Sequence, residues 1–407
     1  MKQNLFLVWL VVFIFAAISF STNIIGPLEP NIRESFKLSS LMTGLIPYAF
    51  FIAYLFSIPY AIMLNRLKEK KSMLIAFFFA GTGAILFGLY PSYQLAFASF
   101  FMIGTGMAIL QVVINPLLRA AGGEGNFAFY SVVAQVAFGG AAYLTPLVSD
   151  NLIAWIQTGN SPFLLSNELA WVGNYWFIGI LLIVLGFLIT LVKFPKVELK
   201  EDEKFEGLDV YKKLLSNKTM WMYFFAIFAY VGLEQGISFK IKAFLMQYHN
   251  VSSDAAGEVV GNFWGALMVG CLVGLVLVKL FRDKILLRWF TIVTIVLLCI
   301  AVFGSKNTSI YAFTGIGFTI SIMWSINFSL AMNSFKNHHG AIAGILCTGI
   351  IGGGLVQPII GIITDLTSLK GGVLFNLILL LYILFISFVA KPLIKNETVS
   401  ISKLFKS

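Results

Sequence analysis

The sequence predicts an all-α membrane protein, with twelve transmembrane helices arranged as two six-helix bundles. Three observations predict it. Of 407 residues, 59% are hydrophobic and only 11% charged, against about 25% charged in a soluble domain. Apolar segments long enough to cross about 30 Å of hydrocarbon recur twelve times along the chain. The longest charged stretch, "KFPKVELKEDEKFEGLDVYKKLLSNK", falls between the sixth and seventh segments and divides the chain into halves of similar length.

The segments run over 6–28, 40–64, 73–90, 94–118, 127–148 and 172–192 in the first half. In the second they run over 219–246, 257–281, 286–304, 308–333, 340–363 and 372–390. The domains that follow are a bundle at 1–193, a cytoplasmic linker at 194–218, a second bundle at 219–391 and a cytoplasmic tail at 392–407. The first segment begins like a secretory signal, with Lys2 ahead of an apolar core. No small-residue cleavage site closes it and the apolar run continues to Leu28, so it reads as a retained span. A long outer loop is expected from Ser149 to Trp171.

Orientation follows from the basic residues. With both termini in the cytoplasm, the inner side holds "NRLKEKK", Arg119, the 193–218 stretch, "KLFRDK", Lys336 and the C-terminal lysines. Arg33, Lys37, Lys240, Lys242, Lys306 and Lys370 remain outside. Basic residues collect in this way in the cytoplasmic loops of membrane proteins. The same rule accounts for the net charge of +10, and no nucleic-acid partner is expected. The lipid bilayer is the expected surroundings, in the plasma membrane (for a bacterium, its inner membrane), and the chain is expected to be a monomer.

Polar residues inside the spans mark a ligand path. Span one carries Ser19, Thr22 and Asn23; span four Gln111 and Asn115; span five Ser131 and Gln135; span seven Glu234 and Ser238; span ten Ser321 and Ser325. Each set is spaced three or four residues apart and falls on one helix face, and such faces turn toward protein or water. Hydrogen-bonded helix packing is the competing reading for any single member. Recurrence in five spans favours a shared cavity. Pro116 is expected to break span four at the carbonyl of Val112, with Gln111 and Asn115 beside the break. Glu234 reads either as a substrate or ion contact, or as half of an internal pair with Lys242 or a neighbouring helix.

Other chemistry finds little support. Cys271, Cys299 and Cys347 lie in apolar runs with no CxxC. His249, His338 and His339 sit near span ends without an HExxH. The glycines of "GAIAGILCTGIIGGGLVQPIIG" suit close helix packing; no GxxxxGK[ST] exists to cradle phosphate. No catalytic constellation stands out, so an enzyme is not expected.

Several stretches together resemble the fucose–proton symporter family of the major facilitator superfamily, over nearly the whole chain. "GMAILQVVINPLL" is similar to its span-four signature, "YVGLEQGIS" to its span-seven motif and "NFWGALMVGCLVG" to its span-eight pattern. "SIMWSINFSLAM" and "GILCTGIIGGGLVQPIIGIITD" follow the patterns of spans ten and eleven. The resemblance implies a major facilitator fold and cation-driven uptake of a monosaccharide. Carried over by position, it points to Asn23, Asn115, Gln135, Glu234, Asn262 and Trp264. Gln111 and Ser325 complete the candidate substrate site, with Glu234 the coupling candidate.

The departures carry information too. Gln111 stands where proton-coupled members have Glu, Gly26 where they have Asp, and Cys271 where an Arg is expected. The resemblance therefore implies the sugar site without the family's usual proton carriers. No cofactor is expected. Coupling is left to Na⁺, to a proton on Glu234, or to neither. Export, another small polar metabolite, or a sugar sensor that no longer transports remain alternatives to hexose or deoxyhexose uptake.

Overall fold

The computed structural model describes residues 4–38, 40–64, 69–122, 127–159, 162, 165–191 and 208–393. Residues 194–207 of the expected linker and 394–407 of the expected tail lie outside them. Among the described residues, eleven helices are long and apolar enough to cross a membrane. They are Leu5–Leu28, Glu69–Leu89, Tyr93–Gly122, Tyr130–Gln157, Asn167–Leu191, Lys218–His249, Ala255–Leu280, Asp283–Phe303, Lys306–Met332, His339–Leu366 and Leu369–Val389.

Span two, expected as one run, is the twelfth and is broken. An α-helix over Ser40–Phe51 passes through a 3₁₀ turn, Ile52–Phe56, into a second helix, Ser57–Leu64. Pro59 lacks an N–H for the carbonyl of Leu55, one turn back inside that 3₁₀ segment.

Three more spans are interrupted. Span ten stops at Ile320 and resumes at Met323. Span eleven turns 3₁₀ over Gly349–Ile351 between His339–Thr348 and Gly352–Leu366. Span one is interrupted at Ile24, between Leu5–Asn23 and Ile25–Ser35, where Pro27 leaves the Asn23 carbonyl without its helical donor.

Two expectations are corrected. Span four runs unbroken from Tyr93 to Gly122 straight through Pro116. The Asn115 side chain donates to the Gln111 carbonyl at 2.7 Å, one residue before the Val112 carbonyl that Pro116 leaves without its helical donor. Span five continues to Gln157, so the helix takes in the first part of the expected outer loop.

The spans pack in two bundles with the same plan. In the first half, span three lies against four and six, two against four, and one against five. In the second half, nine lies against ten and twelve, eight against ten, and seven against eleven. Each pairing thus recurs six spans later. The closest approaches repeat as well. Gly104 of span four sits on the carbonyl of Phe50 in span two, and Gly317 of span ten sits on the carbonyl of Phe263 in span eight. A side chain at either glycine would meet backbone.

Large apolar residues such as Trp9, Phe13, Phe187, Trp289 and Phe385 are exposed around the outside, as a lipid-facing surface requires. Between the bundles, span five packs on eight and span two on eleven. A short helix, Leu208–Leu215, precedes span seven. It buries Tyr211 and Leu214 and leaves Lys212 and Lys213 exposed. Span seven is capped at its start by Asn217, whose side chain accepts the Thr219 N–H at 2.8 Å.

Candidate functional site

A cavity lies between the bundles, a common place for small-molecule sites in helical proteins. Five spans place its polar groups: Thr22 on span one, Tyr54 on two, Gln111 on four, Gln135 on five, and Tyr230, Glu234 and Gln235 on seven. Phe15, Phe51, Phe138, Val231, Trp324 and Ile350 complete the wall. Several of these residues sit at or beside helix interruptions. Tyr54 lies in the 3₁₀ turn of span two, Ile350 in that of span eleven, and Trp324 just past the gap in span ten. Irregular backbone at membrane depth is tolerated where it lines such a space.

The hydrogen bonds divide the wall into two clusters. On the first bundle, Gln111 Nε2 donates to Tyr54 Oη at 3.3 Å. On the second, Tyr230 Oη donates to Glu234 Oε1 at 2.8 Å, and Gln235 Nε2 approaches Glu234 Oε2 at 3.4 Å. Both hydrogen-bond partners of Glu234 are neutral, which sets aside the alternative of a pair with Lys242. Among the described residues, no Lys, Arg or His lines the cavity. Trp324 packs on Tyr230 with ring centroids 6.0 Å apart. The wall therefore offers amides, a carboxylate and ring faces, and no fixed positive charge for an anion.

The structure brings Gln111, Gln135 and Glu234 together as expected, and places the other candidates around them. Asn23 is buried; its Nδ2 donates to the Ser19 carbonyl at 3.0 Å, and its Oδ1 has no partner. Asn115 faces the other bundle, with Nδ2 3.9 Å from Cys347 Sγ of span eleven. Ser325 is buried, with an unpartnered Oγ, next to the cavity residue Trp324. Trp264 is buried behind Phe138, their ring centroids 6.4 Å apart.

Asn262 is the exception. It is exposed, on the side of span eight that carries the exposed Val269, Val273 and Val276. These positions follow it by 7, 11 and 14 residues, whole numbers of helical turns to within a fraction.

Sequence reasoning passed over Gln235, Tyr54, Phe15, Phe51, Phe138 and Ile350 as site residues. For Gln235 the signal was its place beside Glu234 in "YVGLEQGIS"; for the rings no polar pattern could have singled them out.

The three departures have structural counterparts. A side chain at Gly26 would come within 3.1 Å of the Phe239 ring of span seven. Cys271 donates its S–H to the Ser321 carbonyl at 3.4 Å. Gln111 keeps a polar contact in the wall. Among the described residues no cluster of His, Cys, Asp and Glu is arranged to hold a metal ion.

Two pseudosymmetric helix bundles around a cavity lined by both polar and aromatic groups define a membrane transporter of the alternating-access kind. A family model for the Major Facilitator Superfamily matches residues 11–358, and the chain belongs to that superfamily. Among curated relatives, the "Glucose/galactose transporter" of Brucella abortus is 28% identical over 383 residues, covering 88% of this chain and 87% of that protein. The "L-fucose-proton symporter" of Escherichia coli is 23% identical over 385 residues, covering 89% and 85%. Among solved structures, a variant of the Escherichia coli fucose:proton symporter superposes with a TM-score of 0.76 at 20% identity, over 96% of this chain and 100% of that one. A proton:xylose symporter bound to 6-bromo-6-deoxy-D-glucose does so with a TM-score of 0.74 at 13% identity, over 99% and 98%.

Proposed function

We propose that the protein is a secondary transporter that takes up a monosaccharide, a hexose or deoxyhexose, across the bacterial inner membrane. The observation that carries this reading is the chemistry of the cavity wall. Amides and a carboxylate can pair with hydroxyls, and the ring faces can pack on the C–H face of a sugar. The names of the curated relatives support the same class. The halves 1–193 and 219–391 are taken as the units that rock around the cavity. Both termini are placed in the cytoplasm on the distribution of Lys and Arg, and the unit is taken as a monomer.

We place coupling at Glu234, the one acidic residue of the wall among the described residues. Gln111 cannot titrate, and the position of Gly26 is packed against Phe239. The co-transported cation is either Na⁺ or a proton. Purified protein in liposomes separates the cases: uptake of labelled D-glucose, D-galactose and L-fucose is measured with an inward Na⁺ gradient, with an inward proton gradient, and with neither. Saturable uptake of one of them, raised by one gradient, supports the reading. If none enters and none exchanges, the substrate class is wrong.

A further inference from the structure

The wall of the cavity contains one hydrogen-bonding atom whose position nothing so far accounts for. Gln235 is 1% exposed, and it is part of the cavity wall. Its Nε2 faces Glu234 Oε2 at 3.4 Å, while its Oε1 is buried with no donor. The sense of this amide is fixed by chemistry. A carboxylate oxygen offers lone pairs only, so the NH₂ must face Glu234 and the oxygen must face away. A buried acceptor left unpaired is costly, and retaining one in a binding wall makes sense where a ligand supplies the donor.

Building on the sugar-transport reading, we propose that Gln235 is a specificity-determining residue: Oε1 accepts a hydrogen bond from one hydroxyl of the bound sugar, and Nε2 stays on Glu234. One amide then touches the sugar and the carboxylate at once. The other amides of the wall, Gln111 and Gln135, stand on the opposite bundle, so this contact reads a single hydroxyl on the side of the second half. The backbone carbonyl of Gln235, 3.4 Å from the Ser238 hydroxyl, anchors the residue in span seven without engaging the side chain.

The test uses the full-length protein in lipid nanodiscs and a set of probes: D-glucose, D-galactose, L-fucose and the monodeoxy analogues of whichever binds. Wild type should bind one monodeoxy analogue about tenfold to hundredfold more weakly than the parent sugar. Gln235→Met, similar in shape but without the acceptor, should bind the parent that much more weakly and should no longer distinguish it from that one analogue. It should still discriminate at the remaining hydroxyls, which shows the site intact. Gln235→Asn, which withdraws the amide by one methylene, serves the same test if the Met variant does not assemble, with the same loss expected.

If the Met or Asn variant discriminates against every analogue as wild type does, Gln235 reads no hydroxyl and the inference is overturned while sugar binding stands. If wild type binds none of the three sugars, the transport reading falls and this inference falls with it.

Discussion

Gln111 shows how one side chain can be read in sequence and refined in structure. Its place among apolar residues announced a site, and it does stand in the cavity wall, donating to Tyr54 at 3.3 Å. Removing the amide leaves a buried hydroxyl and a ligand group without a partner, at about 1–3 kcal/mol. Gln111→Ala should therefore weaken sugar binding about fivefold to 150-fold with folding preserved, measured by calorimetry. An unchanged affinity would assign Gln111 to helix packing.

Asn115 one turn away reads the same way in sequence, yet it reaches Cys347 on the other bundle. Spacing identifies a polar face; it does not say which part of that face meets the cavity and which meets the next helix. Asn262 was misplaced for a related reason. The motif fixes its neighbours, but the phase of span eight turns Phe263 and Trp264 inward and Asn262 outward. Gln235 went unread because the stripe from Glu234 to Ser238 drew attention to the four-residue spacing and past the adjacent amide.

At the scale of elements, hydropathy made the spans legible, because lipid demands long apolar helices wherever the chain crosses. Their interruptions were less legible. Proline is an ambiguous sign: Pro116 is absorbed into a continuous helix, while Pro59 follows a 3₁₀ turn. The glycines of span eleven were correctly read as packing residues, but their two directions come only from the fold. Gly352 rests on the carbonyl of Phe228 within the second bundle, whereas Gly353 and Gly354 seat Phe51 of the first.

A Cβ at Gly354 would stand 2.6 Å from the Phe51 Cβ, an atom that cannot swing aside without its backbone. Phe51 is also part of the cavity wall, so this seat closes spans two and eleven over the site. Overpacking of this kind costs about 1–3 kcal/mol, here charged against the closed state alone. Gly354→Val should lower net sugar uptake about fivefold to 150-fold while sugar binding persists. Equal loss of binding and uptake would point to a damaged site, and unchanged uptake would mean that the seat does not need to close.

At the scale of the whole molecule, topology and coupling belong together, because a gradient has meaning only once inside and outside are assigned. In a protein freed of its three cysteines, Thr158→Cys should react with an impermeant maleimide from outside and Leu208→Cys only from the cytoplasmic side. The reverse pattern would invert the orientation inferred from the basic loops.

Accumulation of a monosaccharide by this chain is proposed to run through a cation bound at Glu234. The most direct measurement compares wild type with Glu234→Gln in liposomes, following both gradient-driven accumulation and equilibrium exchange of labelled sugar. One charge moved down 100 mV is worth about 2.3 kcal/mol, enough to concentrate a sugar roughly fiftyfold. Wild type should accumulate sugar under either a Na⁺ or a proton gradient, and Glu234→Gln should lose that accumulation while exchange continues. Accumulation that survives in Glu234→Gln, or a wild type that exchanges sugar but never accumulates it under either gradient, would contradict the claim.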